Sequence, residues 1–556
     1  MKRHWIYPVL LVAAVWALFA RTASFEFVRL DDHDYTFLCP FVATGLSWSN
    51  IAEAFSNFTH AAIWMPVTYV TYMVDFSLFG ATRANMGPVH LGNVFIHSVN
   101  ALLVFALLTK VAAAVFRRKA DGRIAWAVFL AALWWAVHPY RVEPVCWIAG
   151  RKELLWTMFS LAGLLFWIAR RRPFGIHALC AYACCALACL SKPTAMCFPA
   201  LALCVSLAVD PPKLPLPRFR LAMLSDARFL AYLPLAAMSA AVACMAVYSQ
   251  THAAGYAERA LYTAPLWWRA LNAAVSVGLY LIQSVFPVGL HADRLIMTGS
   301  MPFGTVAAFA FFAALAIYAL AQRKRETVRR ALPWALFFLA AVAPVLGLFG
   351  SFGREAMADR FSYMPCVALA ALVAITIPRL AVSRSAGFAV YIAAWTVLAW
   401  MLAGTWRNDY TLFSRVLAVD PNHPRALYHV ASEECARLGD MDSGIEHFRM
   451  SLALENSFDT RAQLCYALVR RALASEEQGR SGELDLAEAR SCSADVERNH
   501  KLDQKGMMLE ALGMLAMREG RWKDAAACFE DAINAPRRFY PAAQARDLLA
   551  ICRHHL

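Results

Sequence analysis

The apolar residues of this chain come in long runs rather than in alternation, which argues for helices and against half-buried strands. Eleven runs approach the ~20 residues that cross a bilayer: about 5–22, 89–112, 123–138, 154–170, 174–190, 195–209, 229–249, 303–321, 331–349, 362–377 and 386–404. Each predicts a membrane-spanning helix. A further stretch, about 272–288, is apolar as well. Near Trp406 the pattern changes to amphipathic, charge-rich helix and stays so to the last residue. The expected fold is all-α, with a polytopic membrane domain at 1–405 and a helical domain at 406–556.

Charge orients these spans. The loops Arg117-Arg118-Lys119, Arg170-Arg171-Arg172, Lys213 to Arg228, Arg323 to Arg330 and Arg379 to Arg384 are basic. Placed together with Lys2-Arg3 in the cytoplasm they obey the positive-inside rule, and the C-terminal domain then lies outside. Counting 272–288 as a span would break that agreement. It is therefore expected to be a re-entrant or interfacial helix in a long outer loop, 250–302, with Tyr262, Trp267 and Trp268 at the water–lipid boundary. The first outer loop, 23–88, carries Phe58, Trp64, Tyr69, Tyr72, Phe76 and Phe79, as helices lying in the interface would. Lys2, Arg3 and His4 before an apolar run also fit a signal peptide. An uncleaved anchor suits the many spans that follow.

Composition agrees: 60% of residues are hydrophobic and only 17% charged, against roughly a quarter charged in soluble domains. The net charge of +14 resides in the loops, so it does not point to nucleic acid. The fifteen cysteines include no CxxC pair, which removes a zinc ribbon and a dithiol redox motif. Cys180, Cys184, Cys185 and Cys189, with His177 nearby, sit in an apolar run and read as small hydrophobes, so no metal site is expected there.

With this topology the polar islands fall on one side: Asp31-Asp32-His33-Asp34, His138 to Glu143, Arg151-Lys152-Glu153, Ser191-Lys192-Pro193 and Arg354 to Tyr363. Carboxylates at the lip of a membrane are costly and call for a function. Acids and bases converging at one face suit a charged, lipid-attached substrate. Asp31 or Asp32 is a competent general base for an acceptor hydroxyl. Lys152, Lys192 and Arg360 can offset charge on a departing phosphate, with Arg141 and Arg354 in reserve. The adjacent carboxylates could instead hold a divalent cation. Arg360 could simply pair with Asp359 or Glu355, and Lys192 could snorkel. In the second span His90, Asn93, His97 and Asn100 fall within roughly an 80° arc, for inter-helix hydrogen bonds or for lining a cavity.

In order, Asp31-Asp32 with Tyr35, Trp64-x-Pro66, Asp75, Leu78-Phe79-Gly80, His90-Leu91-x-Asn93 with His97 and Asn100, His138-Pro139, Val142-Glu143, Trp147, Arg151-Lys152-Glu153, Lys192-Pro193 and Asp359-Arg360 with Tyr363 resemble the transmembrane and tetratricopeptide-repeat protein O-mannosyltransferase family. The resemblance implies a GT-C membrane fold. It also implies that an acid of the first outer loop acts at a lipid-linked sugar donor, commonly a polyprenyl-phosphate sugar. By position, Asp31 and Asp32 match the family's acidic pair, and Lys152, Lys192 and Arg360 match basic positions. Asp34, Tyr35, Trp64, His90, Asn93, Glu143, Asp359 and Tyr363 are then expected around the substrate cavity. Two departures stand out: His33 separates the pair from Asp34, where the family often has a third acid directly, and the basic residue that the family often has beside Gln283 in the chain is absent.

Past Trp406, Arg425 to Leu454 reads as a helix pair with Gly439 at its turn and Phe448 in its second helix. Gly506 to Ala535 repeats it with Gly520 and Phe529, which makes the middle unit, about 459–500, longer than an ideal ~34-residue repeat. Three such units suffice for a stacked tetratricopeptide-like array, a natural recruiter of protein acceptors. His500, His554 and His555 show no ligand spacing. The expectation is a glycosyltransferase of a bacterial inner membrane, with its N-terminus cytoplasmic and its repeats periplasmic. It would take a polyprenyl-phosphate sugar to a hydroxyl, foremost protein Ser/Thr, with no certain cofactor and a divalent cation possible. The rivals are a non-catalytic envelope scaffold and a transporter; a transporter favours charges at the midplane and paired broken helices.

Overall fold

A computed structural model of the chain describes residues 5–80, 85–117, 121–210, 227–253, 265–295, 310, 314, 318, 321–322, 325–348, 355–379, 382–493, 505–535 and 543–556. The span expected at 303–321 lies almost wholly outside the described residues, as do the loop 213–228 (all but its last two residues), Tyr262, Arg354 and His500. The chain divides into two compact units, Met1–Asn408 and Asp409–Leu556.

In the first unit every other expected run falls on a helix. Among the described residues six helices are long and apolar enough to cross a membrane: Ile6–Ser24, Gly87–Phe116, Ile148–Ala169, Leu233–His252, Val328–Val345 and Arg384–Thr405. They mark the chain as a membrane protein. Four more, Gly122–Val137, Ile176–Ser191, Pro193–Val209 and Cys366–Thr376, are apolar but shorter. Of the eleven expected spans, six therefore have that length among the described residues, four lie on helices short of the ~30 Å of a hydrocarbon core at 1.5 Å per residue, and 303–321 lies almost wholly outside the described residues.

Two loops are more structured than the sequence suggests. Arg151, Lys152 and Glu153, expected as an outer loop, form the first turn of the helix Arg151–Ala169. The turn begins directly after Gly150, where a Cβ would collide with the carbonyl of Pro144. The helix Pro66–Phe79 of the first outer loop packs into protein: Tyr72 donates to the carbonyl of Ile148 at 2.7 Å and Thr68 to that of Ser191 at 2.8 Å. Apolar stretch 272–288 lies mostly in the helix Leu266–Val285, which is not among the six; it buries Ala273, Ser276, Tyr280 and Ser284 on one face and exposes Trp267 on another. The departure from an all-α fold is a two-stranded antiparallel ladder, Arg294–Leu295 with Glu355–Met357.

The second unit is helical throughout its described residues. Pro424–Glu433 runs on through Glu434–Leu438, turns at Gly439 with φ 72°, and is followed by Met441–Leu454. Lys505–Arg518 turns at Gly520, also at φ 72°, into Trp522–Asn534. Glycine takes this left-handed conformation without a Cβ penalty. Phe448 and Phe529 are buried after the two turns, with Gly513 leaving room for Phe529. The intervening pair, Phe458–Glu477 and Glu483–Ser493, opens with a helix of 20 residues against 14 in Lys505–Arg518, which contributes to the length of the middle unit.

Candidate active site

Asp31 and Asp32 are neighbours in the chain with different surroundings. Asp32, the first residue of the short helix Asp32–Tyr35, is buried. Its Oδ2 accepts the N–H of Val28 at 3.0 Å and its Oδ1 that of Ala149 at 2.8 Å. The carboxylate therefore pins the first outer loop to the turn before Arg151. Asp31 keeps 41% of its side chain exposed, and its Oδ2 stands 3.4 Å from the Nζ of Lys152. Tyr35 completes the corner: its hydroxyl accepts from Lys152 at 3.1 Å and donates to Asp31 at 3.4 Å.

From Lys152 the charges continue inward. Lys152 Nζ lies over the indole of Trp147, 5.0 Å from the centroid, and the guanidinium of Arg360 lies over the same ring at 5.1 Å. Arg360 also lies 4.7 Å from the ring centroid of Phe361, which it shares with Lys192 Nζ at 5.0 Å. Three cations from separate stretches of chain thus meet around two aromatic rings. Each has a carboxylate: Asp31 for Lys152, Glu153 for Lys192, Glu143 for Arg360. Glu143 also accepts the backbone N–H of Arg360 at 3.0 Å. The cluster is balanced, three against three, yet lysine and arginine carry more N–H donors than one carboxylate consumes. Burial pulls the Lys192 ammonium down to about 8 against the opposing pull of Glu153. Burial likewise pushes the Asp359 carboxyl up to about 7, although Arg294 beside it pulls the other way.

Other residues expected in the site make contacts of their own. Arg141 is fully buried and donates to the carbonyl of Tyr363 at 2.9 Å and the hydroxyl of Ser362 at 2.9 Å, so it underpins the Asp359–Ser362 turn. Tyr363 turns its hydroxyl toward His97, at 2.6 Å, and Asn100, at 3.1 Å. His90 meets the carbonyl of Glu26 at 3.3 Å, and Asn93 donates to that of Trp147 at 2.8 Å. The polar stripe of the second span thus serves as inter-element hydrogen bonding. The carbonyl of Asp34 accepts from His60 at 2.8 Å; Trp64 donates to the carbonyl of Phe55 at 3.2 Å. Asp359 ion-pairs with Arg294.

Sequence reasoning passed over four contributors. Trp147 and Glu153 were within the quoted motifs, but nothing in the sequence distinguished a ring that gathers cations from one that fills space. Phe361 follows Arg360 directly. Arg294 is one of three arginines in the long outer loop, 250–302, and its partner is 65 residues away. Beneath Lys152, Arg151 ion-pairs with Asp75 and donates to Asn93 Oδ1 at 2.9 Å and the carbonyl of Val89 at 2.7 Å. Among the described residues no group of three or more His, Cys, Asp or Glu side chains is placed to hold a metal ion. Asp32 accepts backbone N–H groups at both oxygens, whereas Asp31 faces Lys152.

No protein-family model matches the chain, and no solved structure matches it. A curated relative, Protein O-mannosyl-transferase F38B6.6 of Caenorhabditis elegans, is 36% identical over 108 residues, 19% of this chain and 14% of that protein. The chain therefore matches a small part of that relative's length.

Proposed function

We propose that this protein is a membrane glycosyltransferase of GT-C type, moving a sugar from a polyprenyl-phosphate donor to a hydroxyl acceptor. The observation that carries the reading is the line from a half-exposed acid into buried cations: Asp31 Oδ2 is 3.4 Å from Lys152, and Lys152 shares the Trp147 indole with Arg360. Asp31 takes the proton of the acceptor hydroxyl as its oxygen attacks the anomeric carbon. The bond from that carbon to the phosphate oxygen breaks, and the phosphate leaves with both electrons. Lys152, Arg360 and Lys192 stabilise the charge growing on it, an effect worth several kcal/mol, on the order of 3, in a water-poor site. Attack opposite the leaving group inverts the anomeric centre. Asp32 orients the loop that carries Asp31, and Tyr35 holds Asp31 and Lys152 in register.

The acceptor we favour is protein Ser/Thr, since the helical pairs after Asp409 suit an array of tetratricopeptide type that recruits protein. The basic loops, read as cytoplasmic, support a site and a helical domain on the outer side, which we propose is the periplasm of a bacterial inner membrane. A test is transfer of labelled sugar from a prenyl-phosphate donor by membranes carrying the wild-type chain or Asp31→Asn. Loss of transfer with an unchanged amount of folded protein is expected; full activity of Asp31→Asn would remove the reading. The balanced charge cluster also favours a second reading, a structural network in a non-catalytic scaffold, and that scaffold would tolerate the same substitution.

A further inference from the structure

We infer that Arg294 is a positioning residue of this site, fixing through Asp359 where Arg360 stands. The inference rests on reading Arg360 as a phosphate-side cation.

Arg294 lies on the strand Arg294–Leu295, where it faces Met357 across the ladder. Its guanidinium ion-pairs with Asp359; Nη1 donates to Gln283 Oε1 at 2.9 Å and lies 3.2 Å from Met357 Sδ. Gln283 is itself fixed, accepting the Tyr140 hydroxyl at 3.0 Å and donating to the carbonyl of Val288 at 3.0 Å. From the same helix, the hydroxyl of Tyr280 donates to the carbonyl of Ala358 and accepts its N–H, each at 3.0 Å. The two residues before Arg360 are therefore held by the stretch 266–295. Arg360 itself is taken by Glu143 at both backbone and guanidinium. The backbone leading into Arg360 is thus held at both residues, and the guanidinium of Arg360 lies over Trp147 and Phe361. Side chains of Asp359 and Arg294 are 8% and 11% exposed, so water offers poor replacement partners if either is lost.

The groups facing Asp359 are Arg294 from the strand, Glu143, Arg141 and Tyr140 from 139–146, Tyr280 from the helix, and Arg360 beside it. Because burial raises its carboxyl above the usual carboxylate range, the contact with Arg294 passes from a neutral acid–guanidinium contact to an ion pair as pH rises.

The full-length chain in detergent would be titrated with farnesyl phosphate, with the shift of the thermal unfolding midpoint giving an apparent Kd. Arg294→Gln is expected to weaken binding at pH 8 by about tenfold or more, as displacement of a charged group by an ångström does. Arg294→Lys should fall between, keeping the charge but losing the planar fork. The ratio of Kd for Asp359→Asn to that for wild type cancels the probe's own titration; it should rise from near one at pH 6 toward tenfold at pH 8. A purely structural clasp would lower the unfolding midpoint and leave that ratio flat. Folded Arg294→Lys and Asp359→Asn proteins that bind farnesyl phosphate within twofold of wild type at both pH values overturn the inference. Arg360→Gln separates the two claims: if it too binds normally, the phosphate-side reading of Arg360 fails; if it alone loses binding, only the role of Arg294 fails.

Discussion

The ammonium of Lys152 and the guanidinium of Arg360 lie over one indole, that of Trp147, at 5.0 and 5.1 Å from its centroid. Two like charges held so close repel, and the negative face of the ring offsets part of that repulsion. An anion arriving beside the ring would be attracted by both. Trp147→Leu is therefore expected to weaken farnesyl phosphate binding about tenfold, at ~0.5–1 kcal/mol per cation–ring contact, and Trp147→Phe less. Equal binding by the two variants would show that the ring acts only by its volume.

Asp31 and Asp32 should separate under substitution. Asp31→Asn is expected to abolish sugar transfer with little effect on thermal stability, because its side chain is half-exposed. Asp32→Asn places an amide where two N–H donors need acceptors, and should destabilise the fold by about 1–3 kcal/mol. Activity assays and unfolding midpoints on the two purified variants read both effects; the opposite pattern would transfer the base role to Asp32.

Lys192 gives a pH signature. Its ammonium, ordinarily lost at 10.5, is lost in the folded protein at about 8. A rate that depends on that charge is complete below about 8 and falls as pH rises above it. Lys192→Arg stays charged and should carry the descending limb to higher pH. Stability moves the other way: between about 8 and 10.5 the unfolded chain binds more protons at this residue, so its contribution to stability rises with pH. A descending limb unmoved in Lys192→Arg would assign it to another group.

Gly92 is the unspecified residue of the stretch from His90 to Asn93. A Cβ there would sit 2.7 Å from Nη2 of Arg151, which reaches past it to the carbonyl of Val89. Gly92→Ala should push Arg151 off Asp75 and Asn93 and cost about 1–3 kcal/mol, read as a lower unfolding midpoint. Lys152, next in the same helical turn, would shift with it, so turnover should fall as well. A variant as stable and active as wild type would mean that Arg151 has another seat.

The alternation of apolar runs with charged islands was enough to place the helices and to nominate the charged residues, because span length and loop charge are local properties. It was not enough to assign work among those residues. Arg141 and Arg360 are alike as letters, and each is buried over two rings, yet Arg141 donates to Tyr363 and Ser362 while Arg360 pairs with Glu143; only the path of the chain between 139 and 146 decides this. The stripe His90, Asn93, His97 and Asn100 allowed either glue or lining, and partners on distant segments decide it. Arg294 was invisible for the same reason: an ion pair across 65 residues leaves no periodicity to read.

Short apolar helices adjoin the polar segments that carry the charge cluster: Ile176–Ser191 ends just before Lys192, Gly122–Val137 ends at the segment His138 to Glu143, and Cys366–Thr376 begins shortly after Arg360. A 16-residue helix is ~24 Å long. Lipids around such a patch must shorten their own reach to match, forming a dimple on that side. An isoprenoid tail can then stay level with the acyl chains of its leaflet while its head meets the cations, with no need to be hoisted into water.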